Sequence, residues 1–176
     1  MKKTLRIFSL LGAVAFVFLF YYYAERSQSQ SQESEDQITG VVVKVMDGDT
    51  YELLTPDKTT VRVRMQGIDA PERGMPYYKM AKQYLSDLCM HQKVTLKEVT
   101  EDHYGRTVAF SYLEDGRELS REMLKAGYAW HYKKYNKESE LAQMEKDAKA
   151  EKKGLWKDKN PTPPWEERAQ RRKGKK

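Results

Sequence analysis

The sequence predicts an α+β fold: a small, closed, five-stranded β-barrel of the OB type with about three α-helices, preceded by an N-terminal apolar helix. Five short segments rich in β-branched residues and bounded by turn signals are typical of strands, at residues 38–46, 50–54, 60–66, 94–99 and 107–113. Helical patterns follow the third and the fifth strand, at residues 77–90, 118–126 and 137–153. This order of elements indicates the OB type of barrel.

The first three strands follow one another through two tight turns. Asp47-Gly48 joins the first pair and is a strong signal for a hairpin with a type I′ turn. A second turn at residues 56–58 leads into the third strand, whose residues alternate. One face of this strand carries Val61, Val63 and Met65, and the other carries Arg62 and Arg64.

Residues 1–26 are predicted to be a membrane anchor or an export signal. Cationic Lys2, Lys3 and Arg6 precede an uncharged apolar run from 7 to 24, and about eighteen such residues reach the lower limit for crossing a bilayer. We favour an uncleaved anchor with the N terminus inside, because the tyrosines at 21–23 suit a membrane interface and are bulky where a cleaved signal has small residues. A cleaved signal is the alternative, and both predict an extracytoplasmic location.

Two polar segments flank the expected domain at residues 38–158. Alternating Ser and Gln make 27–37 a predicted disordered linker, because such residues cannot bury apolar surface. Residues 159–176 are predicted to be a flexible basic tail, with six Lys or Arg among the last nine residues and no acid. The formal net charge of +6 therefore resides largely in this tail, so charge alone is a weak argument for a polyanionic partner. We expect a monomer.

The single cysteine and the three histidines are predicted to be structural. Cys89 excludes an intramolecular disulfide bond and lies in an amphipathic helical segment, so it is expected to be a small buried apolar residue. His91, His103 and His131 lack the spacing of a zinc site.

Two predicted turns carry charge that a turn does not need. Asp47 and Asp49 share the first hairpin, where two carboxylates repel each other unless a cation or hydrogen-bond donors compensate. In the segment 102–106, Gly105 either serves an ordinary turn or bulge, or frees the backbone so that Arg106 reaches a site. Taken singly, each motif is explained by a turn.

A third charged loop directly follows the arginine-bearing strand. Asp69 and Glu72 bracket Pro71, and the proline restricts its own backbone and that of Ala70, which helps to hold the two acids. A hard divalent cation binds carboxylates and carbonyls, and Asp69 with the Ala70 carbonyl would supply two such ligands.

Together the three motifs match the hydrolysis of phosphodiester bonds. The transition state gains negative charge on its equatorial oxygens, which two guanidinium groups can bind bidentately. A divalent cation adds Lewis acidity and positions the phosphate. A carboxylate that is not a metal ligand accepts or orients the proton of the attacking water.

The ordered motifs resemble those of the thermonuclease family, that of staphylococcal nuclease. They are DGDT at 47–50, RMQGIDAPE at 64–72 and DHYGR at 102–106, followed by AGYA at 126–129 and GLW at 154–156. The resemblance covers about residues 38–158. It implies an OB-fold barrel with three helices, and calcium-dependent endonuclease and exonuclease cleavage of DNA and RNA that leaves 3′-phosphates.

The resemblance also implies roles for individual residues. Asp49 and Asp69 would bind Ca2+ through their carboxylates and Ala70 through its carbonyl; the family's prototype has threonine at the Ala70 position, but a carbonyl ligand survives that exchange. Arg64 matches the first catalytic arginine, a choice that strand alternation alone does not make over Arg62.

The remaining implied roles concern water and substrate. Glu72 takes the position of the acid proposed as general base, which either abstracts a proton or only orients the water. Arg106 matches the second catalytic arginine and Tyr104 a tyrosine that contacts phosphate. Tyr132 and Tyr135 are candidates for stacking on the nucleotide, although their segment differs in length from the prototype and an ordinary surface-packed loop is an equal alternative.

Two other classes of protein compete with an active nuclease. One is a catalytically silent OB-type module that only binds nucleic acid or protein, and the other is an envelope-anchored scaffold whose basic tail touches lipid or wall polymer. The scaffold leaves the loop carboxylates unexplained. A silent module has little reason to retain the five charged side chains Asp49, Arg64, Asp69, Glu72 and Arg106.

Overall fold

The structure is a computed structural model that describes residues 18–23 and 37–174. The chain divides into two units between residues 37 and 38, and in the first unit residues 18–23 are helical and exposed. The rest of the predicted anchor at 1–26 and the predicted linker up to residue 36 lie outside the described residues. In the described part, we find no helix with the length and apolar composition needed to cross a membrane. The anchor stays a prediction.

The second unit contains seven strands, four α-helices and one 3₁₀ helix among its described residues. In chain order they are β1 (Ile38–Val45), β2 (Thr50–Leu54), β3 (Thr60–Met65), β4 (Ile68–Asp69), α1 (Tyr78–Cys89), β5 (Lys93–Glu101), β6 (Thr107–Leu113), α2 (Leu119–Lys125), β7 (Trp130–His131), α3 (Ser139–Ala150), the 3₁₀ helix (Gly154–Lys157) and α4 (Pro164–Lys173).

Five of these strands close into a barrel, which confirms the predicted architecture. The order around the barrel is β1-β2-β3-β6-β5, and antiparallel pairing of β5 with β1 completes the circle. β1, β2 and β3 form an antiparallel meander, whereas β3 and β6 are parallel neighbours. Because Arg64 of β3 lies opposite Val108 of β6, the segment just before β6 is held beside the arginine-bearing strand.

Alternate strand residues fill the barrel, and α1 packs against them. Val42, Leu53 and Val63 are fully buried, as the period of two in the sequence predicts. Cys89 at the end of α1 is buried too, and burial raises the pKa of its thiol to about 12. The prediction that Cys89 is a small buried apolar residue is therefore confirmed.

The region from 67 to 76, predicted to be a loop, contains a short strand. β4 pairs antiparallel with β7 in a separate two-stranded sheet, with Ile68 opposite His131 and Asp69 opposite Trp130. Strands of two residues have no periodicity to detect, so sequence patterns do not reveal them. This small sheet joins the Asp69 loop to the segment that carries the candidate stacking tyrosines.

The segment 159–176, predicted to be a flexible tail, contains α4. The correction has a local reason. Pro164 begins the helix, Glu166 and Glu167 lie in its first turn, and basic residues fill its last turn. Proline suits the start of a helix, because the amide donor that it lacks has no partner within the helix there. Acidic residues in the first turn and basic residues in the last turn interact favourably with the helix dipole.

Candidate active site

The loop between β1 and β2 packs tightly against the Asp69 loop. Gly48 does not have a positive φ, so the hairpin does not use the predicted type I′ turn. A Cβ atom on Gly48 would lie 2.8 Å from the Cβ of Ala70 and 2.9 Å from that of Ala81. Glycine is needed here for close approach. As a result, the amide of Ala70 donates a hydrogen bond of 2.7 Å to Oδ2 of Asp49.

Arg64 joins the two candidate calcium ligands. Its Nη2 atom lies 3.2 Å from Oδ2 of Asp49 and 3.2 Å from Oδ1 of Asp69. The same guanidinium donates to the backbone carbonyls of Met65 and Ile68. Asp49 and Asp69 are buried, and the arginine side chain is only 12% exposed. Charge-assisted hydrogen bonds, shielded from solvent, therefore hold the three side chains in place.

Burial and mutual repulsion disfavour ionisation of the acids in this cluster. Burial, followed by the charge of Asp49, raises the pKa of Asp47 to about 7. Burial also raises the pKa of Asp69; a hydrogen bond from Arg168 opposes this rise, and the charge of Asp49 adds to it. Like charges close together in a low dielectric favour either protonation or a bound cation.

The donor set fits a hard divalent cation. The carboxylates of Asp49 and Asp69 and the carbonyl of Ala70 all offer oxygen, which calcium prefers. Between residues 37 and 174 and within 18–23, no group of three or more His, Cys, Asp or Glu side chains is arranged as a metal site. The predicted set needs only two such side chains, with a backbone carbonyl as the third protein ligand.

Replacing Asp47 by asparagine should stabilise the calcium-free protein increasingly as the pH rises. The unfolded carboxyl ionises near its ordinary pKa of 3.8 and the folded one near 7. Ionisation of Asp47 therefore lowers the stability of the wild-type protein between about pH 4 and pH 7, with no further loss above that range. Urea unfolding in the presence of a chelator, measured across this range, checks the prediction.

Asp115→Asn is the control for this pH series. Hydrogen bonds from Arg117 lower the pKa of Asp115, so the contribution of its carboxylate to stability is fully present above about pH 4, and the stability difference between Asp115→Asn and wild type should stay constant from about pH 4 to pH 7. A stability difference between Asp47→Asn and wild type that does not change with pH would contradict the expectation.

One arginine, Arg168, forms ion pairs with both Glu72 and Asp69. Sequence patterns do not identify it as a site residue. Arg168 of α4 places Nη1 2.6 Å from Oε1 of Glu72 and Nη2 2.6 Å from Oδ2 of Asp69. Proline and the order of charges could have predicted the helix. Nothing in the sequence indicates where that helix docks.

Tyr104 and Arg106 lie together in the loop between β5 and β6. The guanidinium of Arg106 bonds to Oδ2 of Asp102, at 2.8 Å from Nε and 2.7 Å from Nη2, and lies 5.5 Å from the centre of the Tyr104 ring. Burial opposes ionisation of Asp102, but hydrogen bonds from Arg106 and Tyr104 outweigh it and lower the Asp102 pKa. Within the described residues these groups make no hydrogen bond or ion pair with Asp49, Asp69 or Glu72.

Tyr132 and Tyr135 form a second aromatic group, after β7. Their rings meet edge to face with centres 4.9 Å apart. The amide of Tyr132 donates to the carbonyl of Gly67, 2.8 Å away, which ties this segment to the turn between β3 and β4. Tyr135 is 67% exposed, whereas one face of Tyr132 is stacked against Trp165 of α4.

Comparison with known proteins identifies the family of this chain. Residues 62–158 match the profile of a family described as "Staphylococcal nuclease homologue". An "Uncharacterized endonuclease" of Escherichia coli O157:H7 is 38% identical over 73% of this chain and 83% of its own length. A "Micrococcal nuclease" of Shigella flexneri is 37% identical over 72% of this chain and 78% of its own. An "Uncharacterized endonuclease" of Haemophilus influenzae is 39% identical over 73% of this chain and 72% of its own length.

The barrel, its charged loops and these matches define a nuclease, a hydrolase that acts on ester bonds. The chain belongs to the staphylococcal nuclease homologue family.

Proposed function

We propose that this nuclease is calcium-dependent, cleaves both DNA and RNA by endonuclease and exonuclease attack that leaves 3′-phosphates, and acts outside the cytoplasm. The observation that carries the proposal is the contact of Arg64 with both Asp49 and Asp69, beside Ala70. This arrangement supports a cation site and a phosphate-binding guanidinium in the same place. The metal ligands would be the carboxylates of Asp49 and Asp69 and the carbonyl of Ala70.

The protein's own groups divide the work of phosphodiester hydrolysis. Arg64 stabilises the negative charge that builds on the phosphate oxygens in the transition state, and Arg106 approaches the same phosphate from the neighbouring loop. Glu72 accepts or orients the proton of the attacking water. Bound calcium supplies Lewis acidity and orients the scissile phosphate.

The substrate-binding roles fall to three tyrosines. Tyr104 is 71% exposed beside Arg106, so its hydroxyl is available to contact phosphate. Tyr132 and Tyr135 offer ring faces on which bases can stack without regard to sequence. Such contacts suit an enzyme that accepts both DNA and RNA, because phosphates and ring faces are common to the two polymers.

The purified full chain should degrade single-stranded DNA, duplex DNA and RNA at about millimolar calcium, a concentration range in which extracellular calcium sites bind. A chelator should stop cleavage, and added calcium should restore it. Products with 3′-phosphates should serve as primers for a polymerase only after phosphatase treatment. DNA left intact after long incubation with calcium, or cleavage that persists in the chelator, would rule out the proposed calcium dependence.

The location can be tested separately from the chemistry. In fractionated cells, the full-length chain should stay with the membrane and be accessible to protease added from outside. A shorter chain in the culture medium would indicate a cleaved signal instead of an anchor. Full-length protein found only in the cytoplasm would contradict both forms of the proposal.

A further inference from the structure

Helix α4 places two side chains on the candidate site from one face. Trp165 and Arg168 are three residues apart, which puts them on the same side of a helix. Arg168 forms ion pairs with Asp69 and Glu72, and Trp165 stacks on Tyr132. Arg171, one turn further, donates to the carbonyl of Arg73 at 3.3 Å. The helix is thus held across the loop that contains Asp69 and Glu72.

Arg168 takes the place of a cation between the acids. Its Nη2 lies 2.6 Å from Oδ2 of Asp69, and its Nη1 lies 3.3 Å from Oδ1 of Asp69 and 2.6 Å from Oε1 of Glu72. Both oxygens of a proposed calcium ligand are therefore engaged by one guanidinium. Burial opposes ionisation of Arg168, but the hydrogen bonds that its guanidinium donates to the carboxylates of Asp69 and Glu72 outweigh it and raise the pKa of Arg168. The group that covers the site therefore keeps its positive charge.

Trp165 covers the ring face that a base would need. Its ring lies parallel to that of Tyr132, with an angle of 3° between the planes and 5.4 Å between the centres. This is the geometry of aromatic stacking, and it is also how a nucleotide base packs on a tyrosine. A base cannot stack on that face of Tyr132 while Trp165 lies there.

We propose that Arg168 sets the calcium affinity of this site: calcium has to displace the Arg168 guanidinium from Asp69 and Glu72, and its binding releases α4 together with the Trp165 cover on Tyr132. The inference rests on the proposed calcium-dependent function.

The docked helix has a direct effect on the apparent affinity for calcium. When only a fraction of molecules has the site open, the apparent dissociation constant rises by the inverse of that fraction. A helix docked nine times in ten would thus weaken apparent calcium binding about tenfold.

Calcium titration calorimetry of the full chain tests the inference without any substrate. Arg168→Ala and Arg168→Gln should each bind calcium more tightly than wild type, by about tenfold if α4 is docked nine times in ten. Arg172→Ala is the matched control, since it removes an equal charge from an exposed position of the same helix. It should bind calcium as wild type does. Circular dichroism checks that all variants are folded.

A second measurement follows the helix itself. Calcium should shift the fluorescence of wild-type protein to longer wavelength as Trp165 leaves the Tyr132 ring, and this shift should vanish in Trp165→Phe, which keeps the other two tryptophans. Arg168→Ala should show the shifted emission already without calcium. Fluorescence that does not respond to calcium would overturn the release of α4.

The possible failures are distinguishable. If wild type and Arg168→Ala bind calcium with equal affinity, Arg168 does not compete and the inference is wrong, while the proposed function stands. If Arg168→Ala binds calcium more weakly, the arginine supports the site instead of covering it, which also overturns the inference. If neither protein binds calcium, the proposed calcium dependence fails and the inference fails with it.

Discussion

Replacing Arg64 by alanine should lower kcat about 10²- to 10³-fold, the loss typical when one preorganised donor to transition-state charge is removed. The guanidinium is 3.2 Å from both candidate calcium ligands, so it lies where a phosphate bound to that calcium would develop charge. The value of KM should change much less, because the interaction is strongest in the transition state. Steady-state cleavage of a fluorogenic oligonucleotide at saturating calcium measures both constants.

Arg62→Ala is the control for this prediction. Arg62 lies two residues earlier on the same strand face, but its side chain is 55% exposed and pairs with Glu52 at 3.7 Å. Its removal should leave kcat near the wild-type value. Arg64 also donates to the carbonyls of Met65 and Ile68, so thermal unfolding has to show that Arg64→Ala is folded. A folded Arg64→Ala variant with wild-type kcat would show that the arginine is structural.

The barrel could be predicted because its strands are long enough to show a pattern. Alternation over β3 separates Val61, Val63 and Met65 from the two arginines. Val63 and Met65 are buried and Arg62 is exposed, whereas Val61 and Arg64 are both partly buried. Helix ends are predictable to within about three residues from glycine and apolar spacing, an accuracy expected of such signals. The predicted helix 137–153, for example, is observed as Ser139–Ala150.

The type of the first turn could not be predicted because it depends on a distant contact. Asp-Gly favours type I′ locally, yet the conformation of Gly48 is adapted to its packing on Ala70 and Ala81. Tertiary packing overrides the local preference here. The resulting turn conformation lets Asp49 accept a hydrogen bond from the amide of Ala70. The site therefore depends on a feature of the turn that local sequence preferences do not predict.

The candidate site was only partly accessible from the sequence. Strand alternation placed both Arg62 and Arg64 outside the barrel, and only the resemblance to a family distinguished between them. The structure adds a physical difference: Arg64 is 12% exposed and contacts buried acids, whereas Arg62 is 55% exposed and pairs with Glu52. The role of Arg168 could not be predicted, because the signals that mark a helix carry no information about where the helix docks. Its partners Glu72 and Asp69 lie 96 and 99 residues away in the sequence.

Arg106 is held in a way that leaves its guanidinium able to serve a substrate. Asp102 binds its Nε and Nη2 atoms, and the same carboxylate accepts hydrogen bonds from the amides of Tyr104 and Arg106, which closes the turn. In the described part of the chain, Nη1 of Arg106 has no hydrogen bond or ion pair, whereas Nη1 and Nη2 of Arg64 both have partners. A side chain that is fixed at one edge and open at the other is preorganised for an incoming phosphate oxygen.

Arg106→Ala should therefore lower kcat about 10²- to 10³-fold while the protein stays folded, since the pair with Asp102 is partly solvated and exposed pairs contribute little to stability. Arg117→Ala is a close control. Arg117 bonds to Asp115 through Nε at the same 2.8 Å and also follows a glycine in a turn, but it lies in the turn between β6 and α2, which contains none of the candidate site residues. Its loss should leave kcat unchanged. If both variants cleave at the wild-type rate, Arg106 only closes its turn; if Arg106→Ala alone is slow, the open edge of its guanidinium contributes to catalysis.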